Sequence, residues 1–374
     1  MRRKLANLSL VLGSALFFLL IFEMTLRVIG YNPFGDLLSG RTLILRESAN
    51  RIMRYELTPN SEGFAWGAEV KINGQGFRDR DYGRQKPADT YRILVIGDSV
   101  TFGNNLPLES SFPEILERTF RRHAVSAEVL NFGVGGYDTI QEVALLQERG
   151  LQFHPDEVLV GYCMNDVGVE STNLTYIRRA QSYGNPFYRI RTAQFARIQI
   201  DRLIARLSTE GPSEPQEDDP GEVKYAGILG DPFLSERIRT IKDYMSSSRD
   251  SYPYVSWYAS APRLGRLRSG FERLNALSRQ HRFKVSVVII PFVHENTDAF
   301  DAAYEIVAYE ARRNGFAVIE PRNRFVMTGI ETLSASPQDM IHPNELGHRL
   351  IAEELFKFYT RDPEKGGLAR RKLN

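Results

Sequence analysis

The chain has 374 residues, enough to bury a full core, and an ordinary composition for a folded protein: 42% hydrophobic, 25% charged and 11% aromatic. A formal net charge of +2 supplies no basic field for nucleic acid, so no nucleic-acid partner is expected. The single cysteine, Cys163, excludes an intrachain disulfide and cannot build a structural zinc site.

Met1-Arg2-Arg3-Lys4 is a short basic start, and residues 5–22 carry no charge. The apolar pattern runs over residues 8–29, long enough to cross a bilayer core at about 1.5 Å per residue. Glu23 and Arg27 would each cost roughly 2.5–3.5 kcal/mol at a helix centre, but they lie near its outer end and are spaced to pair. No small-x-small cleavage site follows, so residues 1–30 read as a retained signal anchor rather than a cleaved leader. The basic start then stays in the cytoplasm, and the rest of the chain lies in the periplasm or outside the cell.

Residues 31–90 are glycine-rich and polar and read as a stalk with a small β-containing lead-in that packs on the main domain. Beyond them strand and helix patterns alternate. Strands are expected at 93–96, 128–131, 157–161, 285–290 and 317–319, and helices at 109–122, 139–149, 263–280, 299–313 and 345–359. Such alternation implies an α/β fold with a parallel sheet covered by helices on both faces. It breaks in an insertion at about 170–257. There, residues 187–207 form a basic amphipathic helix pattern with Arg189, Arg191, Arg197, Arg202 and Arg206, and 208–222 is an acidic, Pro/Gly-rich loop. The basic tail, 361–374, is expected to be disordered.

Four separated pieces carry chemistry. Gly97-Asp98-Ser99 ends the first strand of the alternation, and Asn131-Phe132-Gly133-Val134-Gly135-Gly136 ends the second. Cys163-Met164-Asn165-Asp166 follows the third strand, and Asp339-Met340-Ile341-His342-Pro343 precedes the last helix. The first three project from one carboxyl edge of the sheet, where open α/β folds bind ligands. Acyl transfer through serine needs a nucleophile, a base, an acid that orients the base, and oxyanion donors. Ser99 suits the first role, His342 the second and Asp339 the third. The backbone N–H groups of Ser99 and Gly136 and the Asn165 amide suit the donors. Pro343 fits the first position of the following helix. Taken singly, each piece also reads as a turn, a cap or a surface pair.

Together the four pieces, with the Gly76-Phe77-Arg78-Asp79 lead-in and GDS-x-TFG, resemble the SGNH (GDSL-type) hydrolase family, in its membrane-anchored bacterial form. The resemblance covers about residues 91–360, apart from the insertion. It implies a three-layer α/β/α flavodoxin-like fold with a parallel five-stranded sheet, beside the N-terminal transmembrane helix. It implies a catalytic triad of Ser99, His342 and Asp339, and an oxyanion hole of Ser99, Gly136 and Asn165. Of Gly133, Gly135 and Gly136, the last is chosen because the family's glycine precedes the polar start of a helix. Asp98 is left to shape the turn.

The expected activity is an extracytoplasmic esterase acting on an acylated glycan or lipid, with no cofactor and no metal. Two alternatives share the fold: an O-acyltransferase for an envelope or secreted polysaccharide, and a catalytically silent glycan-binding scaffold. His348 reads as a packing residue, His294 as a minor candidate at the site edge, and His123, His154 and His281 as surface positions. Cys163 reads as a small buried residue on the third strand.

Overall fold

The computed structural model describes residues 2–31, 44–168, 174, 177–178, 190–207, 226–247, 253–293, 297–337 and 339–361. The expected loop at 208–222, the tail beyond 361 and His294 lie outside the described residues. In chain order the principal elements begin with α1 (Arg2–Val28), β1 (Leu45–Glu47), β2 (Tyr55–Leu57), β3 (Glu62–Ala65) and β4 (Ala68–Lys71). Next come β5 (Tyr91–Gly97), α2 (Ser99–Phe102), α3 (Phe112–Arg122), β6 (Ala127–Gly133), α4 (Thr139–Leu145) and β7 (Glu157–Tyr162). The chain continues with α5 (Arg191–Leu207), α6 (Pro232–Ser247), α7 (Ala261–His281), β8 (Lys284–Ile289), α8 (Asp298–Arg313), β9 (Ala317–Ile319) and α9 (Glu345–Arg361).

The chain divides into two compact units, Met1–Leu43 with Leu174–Asp218, and Ile44–Asn173 with Asp219–Asn374. Residues 44–90 belong to the larger unit, because β1, β2 and the loop after β4 are pinned to it by buried polar bonds described below. The insertion is split, its first part grouping with the N-terminal helix and its second with the sheet.

In the larger unit the five strands are parallel in the order β6-β5-β7-β8-β9. Every residue of β5 and β7 is buried, as expected for apolar runs covered on both faces. Each Val, Leu or Ile so buried contributes roughly 1.5–3 kcal/mol. Helices α3 and α9 pack together on one face; α4, α7 and α8 cover the other, with α6 against α8. This is the three-layer α/β/α arrangement with the five-stranded parallel sheet. β5 enters first and has β6 and β7 on either side, so the chain leaves it in both directions, and the crevice at its carboxyl end is the fold's ligand position.

In the smaller unit, α1 contains Ser9–Val28, a 20-residue segment long and apolar enough to cross a membrane. Glu23 and Arg27 pair as their spacing suggests, with Nε to Oε1 at 2.8 Å. The same Glu23 carboxylate also accepts the backbone N–H of Arg191 at 3.1 Å and of Thr192 at 2.8 Å, and the Thr192 hydroxyl at 2.9 Å. It therefore caps the first turn of α5 in trans, satisfying donors that a helix start leaves open.

Candidate active site

Three glycines stand in one row across the sheet at its carboxyl edge: Gly97 pairs in register with Gly133 on one side and Gly161 on the other. The row makes room for α2. A Cβ on Gly133 would come 2.3 Å from the Phe102 backbone N, and one on Gly161 would come 2.3 Å from the Thr101 hydroxyl. The turn carrying Ser99 thus sits directly on the strand ends, closer than any side chain would allow.

Asp98 caps this short helix, its Oδ1 accepting the Val100 N–H at 2.8 Å. Its other oxygen, Oδ2, accepts the Asn165 amide at 2.9 Å and lies 3.1 Å from Ser99 Oγ. Asp98 shapes the turn, as expected. It also ties the end of β5 to the loop after β7, which sequence reasoning missed; the only sequence signal was its place beside Ser99.

Ser99, His342 and Asp339 form a continuous hydrogen-bonded line. His342 Nε2 is 2.8 Å from Ser99 Oγ, and His342 Nδ1 is 2.8 Å from Asp339 Oδ2. Asp339 Oδ1 accepts the backbone N–H groups of Ile341 at 3.0 Å and His342 at 2.9 Å, so one carboxylate holds both the ring and the loop that carries it. Burial pushes the Asp339 carboxyl up, but the His342 ring and these donors outweigh it and hold it below the usual carboxylate range. With Nδ1–H directed at Asp339, Nε2 is left to accept the Ser99 proton. Ser99 is 7% exposed and the His342 and Asp339 side chains 19% each, so the line is sheltered but open to a ligand.

Gly136 takes φ of +76°, a conformation glycine adopts without strain. Among the described residues, the N–H groups of Ser99 and Gly136 donate to no backbone carbonyl. Pro343 differs from its expected place. Asn344 Oδ1 accepts the N–H of Leu346 and Gly347 and so takes the cap position of α9, leaving Pro343 before it in a bridge to Ser334.

The lead-in holds this edge in place. Arg78, 1% exposed, donates to the carbonyls of Phe102 (3.1 Å), Gly103 (2.6 Å), Leu106 (2.7 Å) and Glu69 (3.2 Å), latching the end of α2. Burial pulls its pKa down to about 10, against a rise from Glu109. Phe77 lies on Phe132 with centroids 3.7 Å apart, and Asp79 accepts the Asn131 N–H at 2.8 Å. From β2, the Tyr55 hydroxyl donates to the Gly135 carbonyl at 2.8 Å and Tyr137 donates back to the Tyr55 carbonyl.

Beneath the site lies a set of buried acids. Glu142 is 1% exposed, and neither carboxylate oxygen has a hydrogen-bond partner among the described residues. Burial, with Asp98 and Asp138 adding like charge, raises its pKa well above the carboxylate range. Asp166 is raised by burial and by Asp98 and Glu142, while its Oδ2 accepts the Cys163 N–H at 2.6 Å. His348 is buried and accepts the Phe112 N–H on Nδ1 at 3.1 Å; burial, then His342 and Arg78, lowers its pKa to about 3. It is a neutral packing residue. Cys163 is buried one position past β7, and burial raises its thiol. His123, His154 and His281 are exposed. Among the described residues, no group of three or more His, Cys, Asp or Glu is arranged to hold a metal ion.

Comparison with known proteins gives three kinds of similarity. Residues 95–350 match the family described as GDSL-like Lipase/Acylhydrolase. An arylesterase from Vibrio mimicus is 33% identical over 75 residues, covering 20% of this chain and 38% of that protein's length. The acetyl xylan esterase AlAXEase aligns over 71% of this chain and 98% of its own, at 12% identity and a TM-score of 0.38. A lipase/acylhydrolase from Enterococcus faecalis aligns over 76% and 100%, at 12% identity and a TM-score of 0.40. Since the family pattern spans more than half of the sequence, including Ser99, Gly136, Asn165, Asp339 and His342, the chain belongs to the GDSL-like lipase/acylhydrolase family.

Proposed function

We propose that the chain is a membrane-anchored serine esterase that cleaves acyl esters, acetyl esters foremost, on a glycan or lipid outside the cytoplasm. The observation that carries this reading is the Asp339–His342–Ser99 line, with 2.8 Å at both histidine bonds. Family membership and the arylesterase similarity support the ester class.

In this reading Ser99 Oγ attacks the acyl carbon as its proton passes to His342 Nε2, and Asp339 stabilises the imidazolium that forms. The carbonyl oxygen becomes an oxyanion held by the Ser99 and Gly136 N–H groups and by the Asn165 amide hydrogen not used on Asp98. Each such donor is worth about 2.7–4 kcal/mol in the transition state. His342 returns the proton to the leaving alkoxide, giving an acyl-serine. Water, deprotonated by His342, then releases the acid and restores Ser99. A sugar hydroxyl in place of that water gives the alternative, an O-acyltransferase. The intact hydrogen-bonded line weighs against a silent scaffold.

For location, the basic residues in the first turn of α1, Arg2, Arg3 and Lys4, support a cytoplasmic N-terminus. The trans-cap of α5 by Glu23 supports retention of α1, since a cleaved leader would leave that helix start uncapped.

The test uses the full chain in detergent with p-nitrophenyl acetate and a fluorophosphonate probe. Wild type should turn over and label, and Ser99→Ala should do neither; labelling that survives Ser99→Ala overturns the nucleophile. Turnover without an acceptor marks an esterase, whereas turnover only with added oligosaccharide marks a transferase.

A further inference from the structure

Beyond its first turns, which meet α1 through Arg191, Thr192 and Phe195, helix α5 presents apolar side chains outward. Ile200 is 51% and Leu203 55% exposed, and with exposed Ala196 they fall at i, i+4 and i+7, one stripe along the helix. Ile190, just before the helix, is 42% exposed. The sequence of α5 carries four arginines (Arg191, Arg197, Arg202, Arg206) against one aspartate (Asp201). An apolar stripe on a cationic helix is the pattern of helices that lie in a membrane surface.

Its attachment sets the depth. Glu23, which caps the α5 start, lies about 7.5 Å along the axis from Val28, the outer end of the apolar span, at roughly 1.5 Å per residue. Surface-lying amphipathic helices sit roughly 5–10 Å into the headgroup and acyl boundary. Phe195 packs against Phe22 at 5.3 Å and Tyr31 at 6.0 Å between centroids, so an aromatic cluster marks the same level. The arginines exclude a course of α5 back through the hydrocarbon core.

We infer that α5 lies in the outer-leaflet headgroup layer, capped by Glu23, with the Ala196–Ile200–Leu203 stripe against acyl chains and Arg191 and Arg197 among anionic headgroups. The inference rests on the anchor reading of α1. α1 and α5 then form a two-point membrane seat, in which α5 fixes the rotation that a lone anchor leaves free.

The full chain is reconstituted in vesicles of phosphatidylethanolamine and phosphatidylglycerol. A polarity-sensitive thiol dye is placed at Ile200→Cys, Leu203→Cys or, in α1, Leu16→Cys; Cys163 is fully buried and does not compete. Dyes at 200 and 203 should shift to the blue and be quenched more by lipids with a shallow nitroxide than by those with a central one. The dye at 16 should show the reverse order. In Glu23→Gln, shallow quenching at 200 should fall while that at 16 holds. Quenching at 16 with none at 200 and 203 overturns the inference and leaves the anchor standing. A blue shift at 200 and 203 without lipid quenching means burial against protein, a second copy included, and overturns it too. No quenching at any position removes the anchor reading and this inference together.

Discussion

Asn165 Nδ2 donates to Asp98 Oδ2 at 2.9 Å, the same oxygen that lies 3.1 Å from Ser99 Oγ. One buried carboxylate thus orders both the Asn165 amide, the proposed oxyanion donor, and the turn that carries Ser99, the proposed nucleophile. Asn165→Ala removes the donor itself and should lower kcat about 10²–10³-fold. Asp98→Ala leaves the donor but frees its rotation and removes the α2 cap. Its kcat should fall less, with about 1 kcal/mol of stability lost. In the double variant the losses should be less than additive, because both act through one amide. Kinetics on p-nitrophenyl acetate with thermal unfolding check this; full additivity would show that Asp98 does not act through Asn165.

Glu142 gives a pH signature. Burial, then Asp98 and Asp138, raise its pKa in the folded chain, with Asp166 also close by and itself raised; Asp138 is offset by Arg266 at 2.6 Å. Above the unfolded value of about 4.3, the folded state binds a proton that the unfolded state has lost, so stability falls as pH rises through that window. Glu142→Gln removes the titration and keeps the shape. It should match wild type near pH 4 and gain on it at higher pH, by up to about 1.4 kcal/mol per pH unit. Unfolding measured from pH 4 to pH 8 tests the sign, and a difference that is constant with pH would count against it.

These two cases bear on what a sequence can reveal. Ser99, Asn165 and His342 were legible because strand periodicity puts the first two at strand ends and Asp339-x-x-His342 sits before a helix. The five strands were legible because both-face burial makes each an apolar run. Glu142 was not, since a glutamate early in a helix normally reads as a solvated, dipole-favourable residue. The Arg78 latch was not either: a GFRD motif shows where it lies in sequence, but not that one guanidinium reaches carbonyls more than twenty residues ahead. The seat of α5 on Glu23 depends on a contact across about 170 residues, which local patterns do not encode.

Arg78 is expected to be essential to stability rather than chemistry. Its four carbonyl acceptors include Phe102 and Gly103 at the end of α2, and the guanidinium lies 5.0 Å from the Phe102 ring. Arg78→Met fills some volume but orphans these buried carbonyls. The loss should reach about 3 kcal/mol, the scale of two hydrogen bonds to a charged group. Arg78→Lys keeps the charge without the fork geometry and should recover less than half. Unfolding midpoints in the full chain measure both, and a Lys variant as stable as wild type would mean that charge alone suffices.

The glycine row separates two kinds of steric limit. At Gly133 an added Cβ meets the Phe102 backbone N at 2.3 Å, and backbone cannot move without shifting Ser99. At Gly161 the closest atom is the Thr101 hydroxyl at 2.3 Å, and the next is Phe112 Cζ at 3.2 Å. Thr101 Oγ1 is buried without a hydrogen-bond partner among the described residues, so removing it leaves no partner behind. Gly161→Ala alone should cost about 1–3 kcal/mol by overpacking and reduce activity. Thr101→Ala added to it should restore most of both, because it deletes the clashing atom. The same Thr101→Ala added to Gly133→Ala should restore neither, since the obstacle there is the α2 backbone that follows Ser99. Activity and unfolding of the two single and two double variants decide the matter, and equal rescue at both positions would mean that α2 moves as a body rather than being fixed by the row.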